Sequence, residues 1–298
     1  RMPEPLSPAV LVIGEALMDI TVTAADTVET PGGGPANIAL GLARRGVGAA
    51  LLTRLGRDER GRTIARHLEA SGVGILPESF HDGATSTARA TLDERGAATY
   101  EFDIAWDVPR DVAVGEIPVI HTGSLGVFLE PGAEAVTAIL DAHPDTIVTF
   151  DPNIRPGLVG DPGAARTRFE AIARRAAVVK LSDEDAAYLF AIESVDAVID
   201  AILALGPNLV AVTRGGDGAT LSTREHRVEV TAPRVEVVDT IGAGDTFMAS
   251  LLAESAIRSG AELDGDDLAA IGKHAVAAAA VTVSRTGADL PWAAELAD

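Results

Sequence analysis

The stretch "DTIGAGDTFMASLL" (239–252) sets two carboxylates around a turn of small residues. Gly242, Ala243 and Gly244 precede an apolar run at helical spacing: Phe247, Met248, Leu251 and Leu252. The pattern predicts a tight turn opening a helix, and the free N–H groups of such an end attract anions. Asp239 and Asp245 flank the same turn. On one reading an Asp merely caps a structural helix, a contribution of about 1 kcal/mol. On the other the turn receives an anion, and like charges beside it then need a chemical reason.

A second candidate is "PGGGPANIALGLARRG" (31–46). Its three glycines let the backbone approach a ligand closely. Pro35 suits the first helical position. Asn37 then faces the loop from the first turn with a donor and an acceptor, a combination suited to a polyhydroxylated ligand. The alternative is an ordinary glycine turn before a helix.

Several chemistries are excluded. The chain has no cysteine, so it has no disulfide, thiolate metal site or cysteine nucleophile. It has no G-x-x-x-x-G-K-[ST] loop. Gly242 and Gly244 begin a G-x-G pattern, but Phe247 occupies the third glycine position, so the dinucleotide fingerprint fails and an oxidoreductase is disfavoured. The HRD and DFG motifs of protein kinases are absent. Ser124 in "TGSLG" is offset from a hydrolase elbow. Histidines 67, 81, 121, 143, 226 and 274 show no metal-ligand spacing and read as surface or packing residues.

Composition narrows the partners. The 298 residues are 47% hydrophobic, enough for a large core, and the formal net charge is -20. No basic stripe is present, so nucleic acid is not an expected partner. No uncharged run reaches the roughly 20 residues of a membrane span. The apolar stretch 9–14 runs straight into Glu15, unlike a signal peptide. A cytoplasmic location is the expectation.

The elements that must position these residues alternate. "AVLVIGE" (9–15), "AALLTRLG" (49–56), "IPVIHTGS" (117–124), "TIVTFDPN" (146–153), "AAVVKLS" (176–182) and "NLVAVTRG" (208–215) read as buried strands. Amphipathic helices such as 58–72 and 131–144 lie between several of them. The alternation predicts βαβ units and a mainly parallel sheet covered on both faces. Residues 85–107 break the pattern and read as two strands joined at 93–96. In the second, Tyr100, Phe102, Ile104 and Trp106 share one face, with Glu101, Asp103 and Asp107 opposite. Residues 19–26 are a candidate additional strand for the same small sheet.

The chain resembles the ribokinase-like (PfkB) sugar kinases over essentially its whole length. The motifs follow in order: "GEALMDI" (14–20), "GGGPAN", "FDPNIRP" (150–156), "VKLSDED" (179–185), "VTRGGDGA" (212–219) and "DTIGAGD" (239–245). "GGGPAN" and "DTIGAGD" are the two family signatures. "GEALMDI" and "FDPNIRP" are most similar to the fructokinase and ketodeoxygluconate kinase branch. The resemblance implies an α/β fold: a three-layer α/β/α domain over 1–298, with a mainly parallel central sheet and a small β-sheet lid from 19–26 and 85–107. It implies phosphoryl transfer from ATP, with Mg²⁺ and in many relatives K⁺, to a primary hydroxyl of a small sugar.

The resemblance also assigns roles by position. Asp245 is the base, and the Gly242, Ala243 and Gly244 amides form the anion hole. That supplies the chemical reason for like charges at the turn: the amides stabilise the transferred phosphoryl while Asp245 takes the sugar proton. Asp239 orients the turn and matches a monovalent-cation position. Asp19, Gly33 and Asn37 match sugar-binding positions. Arg155 carries a fork suited to carboxylate or paired oxygens, with a salt bridge to Asp151 as the alternative. Thr213, Gly215 and Gly218 match a nucleotide-side strand and turn. Ser182 and Asp185 stand where relatives often carry Asn and Glu, which puts the indirect Mg²⁺ role of Asp185 in question. Arg214 replaces a common apolar residue and points either to the nucleotide or to solvent. The lid makes the dimer contact in many relatives, so a homodimer is expected.

The reading is an ATP-dependent sugar kinase with fructose as substrate. The alternatives are 2-keto-3-deoxygluconate as substrate, or a sugar- or nucleotide-binding regulator without catalysis. The intact "GAGD" argues against the regulator, because a pure binder has no need of the base.

Overall fold

The computed structural model describes residues 8–92, 98–112, 115–191 and 194–296. Strand β1 (Val10–Ile13) is followed by β2 (Leu17–Val22) and β3 (Thr27–Gly32), then by α1 (Gly34–Arg44). Next come β4 (Ala49–Leu52), β5 (Leu55–Gly56), α2 (Glu59–Ala70), β6 (Gly74–Ile75), β7 (Phe80–His81), β8 (Thr87–Leu92) and β9 (Ala98–Asp103). The middle of the chain forms β10 (Val119–Gly123), α3 (Gly132–Ala142), β11 (Ile147–Asp151), α4 (Pro156–Val159), α5 (Pro162–Ala173), β12 (Val178–Ser182), α6 (Asp183–Phe190) and α7 (Val195–Leu205). The last part forms β13 (Leu209–Thr213), β14 (Ala219–Ser222), β15 (Arg227–Val230), α8 (Ala243–Ala253), α9 (Ser255–Ser259) and α10 (Gly265–Val283).

Nine strands make one sheet in the order β15-β14-β13-β12-β11-β10-β1-β4-β6. β6 to β13 across this order pair in parallel, and the edge strands β14 and β15 join antiparallel. Strand alternation sends successive side chains to opposite faces. Val10 and Val12 therefore meet the apolar faces of α1, α2, α8 and α10, whereas Leu11 and Ile13 meet those of α3, α5, α6 and α7. Two apolar cores, one on each face, give the three-layer arrangement that the alternating sequence predicts. Among the described residues no helix is long and apolar enough to cross a membrane.

A second sheet has the order β3-β2-β8-β9. Its pairs β2–β3 and β8–β9 are antiparallel, and β2–β8 is parallel. β2 covers 19–22, half of the expected 19–26 strand. β3 was not expected from the sequence, which suggested a glycine turn only from residue 31, and it runs directly into α1 through Gly33. The join expected at 93–96 lies outside the described residues.

The four-residue apolar stripe needs correction. Strand β9 ends at Asp103, so its alternation does not extend to Trp106. Tyr100 and Phe102 do share a face: their rings stack at 6.2 Å, and they are 63% and 42% exposed. Trp106 instead turns into the core beneath the sheet, 3% exposed, with its indole N–H donating 2.9 Å to the Gly126 carbonyl. Ile104 is half-buried between the two environments.

The two aromatics should therefore behave differently. Trp106→Ala is expected to cost about 3–5 kcal/mol, as for other large core truncations. Phe102→Ala should change stability by about 0.5 kcal/mol or less, as at an exposed site. Urea denaturation of both variants checks this, and equal losses would contradict the separation of Trp106 from the stripe.

Candidate active site

The two glycine-bearing motifs meet although they lie some 200 residues apart. α1 is entered at Gly33, whose φ of 109° suits glycine. A Cβ there would lie 2.5 Å from the Glu15 carbonyl oxygen, so the loop is also closely backed by the chain between β1 and β2. Pro35 occupies the first turn, and the Asn37 N–H donates 2.9 Å to the Gly33 carbonyl. Asn37 Nδ2 then donates 2.8 Å to Asp245 Oδ2 across the α1–α8 interface.

The α8 end resolves the capping question. Gly242, at φ 80°, turns the chain into the helix and no side chain caps it. Ala243 and Gly244 follow as the first helical residues, leaving their N–H groups at the helix end. Asp245 stands third, 7% exposed, with its carboxylate on Asn37 instead of on its own backbone. Asp239 does the local work: its carboxylate accepts from Ile241 N–H at 3.0 Å and Gly287 N–H at 2.9 Å, tying the turn to the chain after α10.

A buried ion pair lies below the turn. Lys180 of β12 donates 2.9 Å to Asp151 Oδ2 of β11, and both side chains are almost fully buried. A Cβ on Gly244 would lie 2.9 Å from Lys180 Nζ, so this glycine makes space for the ammonium under the helix end. Burial opposes the charge of Lys180, but Asp151, Asp185 and Asp245 outweigh it and raise its pKa. Burial lifts Asp151 to about 6, with Lys180 opposing the shift. His121 of β10 is completely buried on Thr149 Oγ1 at 3.0 Å; burial and Lys180 depress it to about 3, so it is neutral. This is a packing histidine, as expected.

Burial also raises Asp245, while the Asn37 hydrogen bond, Lys180 and Arg155 favour its charged form. Arg155 is exposed just beyond β11. The expected alternative, a salt bridge from Arg155 to Asp151, does not form because Asp151 is taken by Lys180. Arg155 Nη1 instead donates 2.8 Å to Asn153 Oδ1, and Asn153 adopts a left-handed φ of 38°. Asn153 and Asp245 both border Gly34, where a Cβ would lie 2.6 Å from Asn153 Nδ2 and 3.3 Å from Asp245 Oδ1. Asp19 of β2 meets solvent in the open cleft, yet the surrounding protein raises it to about 6, with Arg155 opposing. Glu15 is buried, and burial raises it to about 7, with Ser124 and Arg155 opposing. Arg155 thus acts on Glu15, Asp19 and Asp245 together.

The remaining expected residues lie along β12, β13 and the turn after them. Thr213 ends β13, its hydroxyl 3.5 Å from the Leu181 carbonyl, and Gly215 and Gly218 frame the turn into β14. Arg214 reaches Glu229 of β15 at 3.6 Å. Ser182 and Asp185 form a reciprocal capping box on α6, and Asp185 Oδ1 also accepts from Ile154 N–H at 2.8 Å. Both Asp185 oxygens thus hold backbone N–H groups, a donor set that does not fit direct metal coordination. Asp239 is similarly engaged. Among the described residues no three His, Cys, Asp or Glu side chains are grouped to hold a metal.

Lys180, Asp151 and Glu15 were not assigned roles from sequence. A signal existed: each is an ionisable residue within or at the end of an apolar strand run, where an isolated charge is costly. The pattern does not say which charges meet.

Known proteins are similar to this chain over most of its length. Residues 8–295 match the family described as pfkB family carbohydrate kinase. A fructokinase of Rhizobium leguminosarum bv. trifolii is 32% identical over 257 residues, 82% of this chain and 78% of that protein. Fructokinase-1 of Oryza sativa subsp. japonica is 32% identical over 303 residues, 95% of this chain and 94% of that one. The crystal structure of a Vibrio cholerae O395 fructokinase, with fructose, ADP and a calcium ion bound, superposes with a TM-score of 0.83 at 26% identity. The superposition covers 96% of this chain and 97% of that one.

The buried pair makes a prediction independent of activity. Lys180→Met leaves Asp151 without its counter-charge, which typically costs about 3–5 kcal/mol. The folded-state value of Asp151, about 6, already lies above that of an ordinary carboxyl, and losing Lys180 raises it further. The loss is therefore full at pH 8 and shrinks as pH falls and Asp151 takes a proton. Urea unfolding at pH 8 and pH 5 measures the difference, and equal losses at both would refute it.

Proposed function

The chain belongs to the pfkB family of carbohydrate kinases and is an ATP-dependent sugar kinase, and from that premise we propose that its substrate is fructose, phosphorylated on a primary hydroxyl. The carrying observation is the 2.8 Å hydrogen bond from Asn37 to Asp245. It joins the loop suited to a polyol with a carboxylate at the N-terminal end of α8, where the Ala243 N–H donates 3.3 Å to the Thr240 carbonyl.

In this reading Asn37, Asp19 and Gly33 bind the sugar, and Arg155 bounds the cleft from the β11 side. Asp245 takes the proton of the reacting hydroxyl. The Gly242, Ala243 and Gly244 turn faces the charge that develops on the phosphoryl group, and Lys180 beneath it adds a fixed positive charge. Thr213, Gly215 and Gly218 serve the nucleotide side. The exposed Val237, Val238 and Ile241 leading into the turn offer an apolar wall there. Mg²⁺ supplies charge neutralisation on the ATP phosphates when bound. Since Asp185 is committed to backbone N–H groups, its influence on Mg²⁺ would pass through water or the nucleotide. Asp239 would shape a K⁺ site by orienting the turn. The Vibrio cholerae relative, with fructose, ADP and a potassium or calcium ion bound, supports fructose as the sugar and an adenine nucleotide as its partner.

The charge of the cleft favours a neutral sugar over 2-keto-3-deoxygluconate. Glu15, Asp19 and Asp245 share Arg155, whereas Lys180 is closed on Asp151. A substrate carboxylate would compete with three acids for one guanidinium. The regulator reading lacks an observation of its own, since a pure binder has no need of the base. The whole chain, 1–298, acts as one kinase domain with the small sheet as its lid, in the cytoplasm.

Two measurements follow. Asp245→Asn keeps the shape and the contact with Asn37 but cannot accept the proton, so kcat should fall on the order of 10²–10⁴-fold with folding intact. ATP consumption by wild type should be faster with fructose than with 2-keto-3-deoxygluconate. Near-normal turnover in a folded Asp245→Asn variant would remove the base assignment, and preference for the keto-acid would remove fructose while leaving the kinase.

The exposed Tyr100 and Phe102 stack support a homodimer in which a second copy covers this face of the lid. Sedimentation equilibrium should show a dimer for wild type and a monomer for the Tyr100→Asp/Phe102→Asp variant. A monomeric wild type would end this part of the proposal.

A further inference from the structure

Asn153, in the connection after β11, has no part in the reaction as described above. It is half-buried and holds a left-handed φ of 38°, a region that few side chains other than Asn and Asp enter readily. Such a conformation persists where the surrounding structure enforces it, often at a functional site. Two neighbours set the orientation of the amide. Arg155 Nη1 donates 2.8 Å to Asn153 Oδ1. A guanidinium has only donors, so the amide oxygen must face it and the amide nitrogen must turn away. That nitrogen meets Gly34, the third glycine of "GGGPAN". A Cβ at position 34 would lie 2.6 Å from Asn153 Nδ2, so the glycine makes room for the amide. The same Cβ would lie 3.3 Å from Asp245 Oδ1. Asn153 Nδ2 and Asp245 Oδ1 thus flank one point beside Gly34, while Asp245 Oδ2 takes the hydrogen bond from Asn37.

We propose that Asn153 orients the sugar for phosphoryl transfer: Nδ2 donates to the oxygen of the reacting hydroxyl while that hydroxyl points its proton at Asp245 Oδ1. A hydroxyl is both acceptor and donor, so one oxygen seated between the two side chains satisfies both. The proton passes to Asp245 Oδ1, the oxygen forms its bond to the transferred phosphorus, and the bond from phosphorus to ADP breaks. Nδ2 holds the oxygen in place as its proton leaves. Arg155 on Oδ1 polarises the amide and makes Nδ2 the stronger donor. The inference rests on Asp245 as the base. The competing role for Nδ2 is structural: Asp151 Oδ1, buried and without a partner, lines the same small cavity as Asn153 and Gly34 and is the rival acceptor.

The test is the steady-state kinetics of Asn153→Gly and Asn153→Asp at pH 8, with saturating ATP and the sugar that wild type phosphorylates fastest. Asn153→Gly removes the amide but adopts the left-handed backbone freely, so its melting temperature should stay close to that of wild type. Its kcat should fall roughly ten- to a hundredfold, the effect of losing a hydrogen bond to an oxygen that gains charge in the reaction. Asn153→Asp keeps the shape and the acceptor for Arg155, which offsets the added charge, but sets an oxygen where the donor was. Its kcat should fall at least as far. With Arg155 still held, the KM for the sugar in Asn153→Asp should change by about twofold or less. Asn153→Asp decides the matter if Asn153→Gly does not fold. Wild-type kcat in either folded variant overturns the proposal, as does a loss confined to KM. A large fall in melting temperature in both variants with kcat unchanged also overturns it and assigns Nδ2 to Asp151. Failure of fructose as the sugar shows in wild type, and failure of Asp245 as the base shows in Asp245→Asn, both without the Asn153 variants.

Discussion

Asp245 is an acid held at the buried N-terminal turn of α8, and burial works against its charge. The surrounding structure offsets that penalty. Asn37 donates a hydrogen bond at 2.8 Å, Lys180 and Arg155 supply positive charge, and the helix end adds its partial positive potential. Lys180 is itself buried and needs Asp151. Each group is tolerable because the next is present, and removing one member leaves another without its partner.

This requirement dictates much of the local architecture. Glycine at position 244 leaves room for Lys180 Nζ under the turn, where a Cβ would lie 2.9 Å from it. Asn37 reaches Asp245 only because α1 and α8 pack side by side on the same face of the sheet. β3 leads into α1 through Gly33, so the small sheet and the glycine loop are one continuous piece of chain.

The positive charge of Arg155 favours the charged forms of Glu15, Asp19 and Asp245, and the proposed preference for hydroxyls over a carboxylate rests on that balance. Asp185 and Asp239 give their oxygens to backbone N–H groups and act as supports for turns. The shorter Ser182 and Asp185 pair, a departure from the common family pattern, closes on itself as a capping box.

The sequence by itself determined the layered α/β fold, the positions of the buried strands and the two glycine-bearing loops. These follow from local rules: strand alternation, helical spacing and the backbone freedom of glycine act between neighbours in the chain. It also placed Asp245, Asn37 and Arg155 at element ends, where side chains can face a ligand. Local rules failed where the outcome depended on residues far along the chain. The alternation of 100–106 gave no sign that β9 stops at Asp103 and that Trp106 enters the core beside Gly126. The choice of Lys180 over Arg155 as the partner of Asp151, and of Asn37 as the partner of Asp245, was decided by the tertiary structure alone. Sequence lists the charged groups, but burial and distance set their interaction, and both arise only when β11, β12, α1 and α8 are packed together.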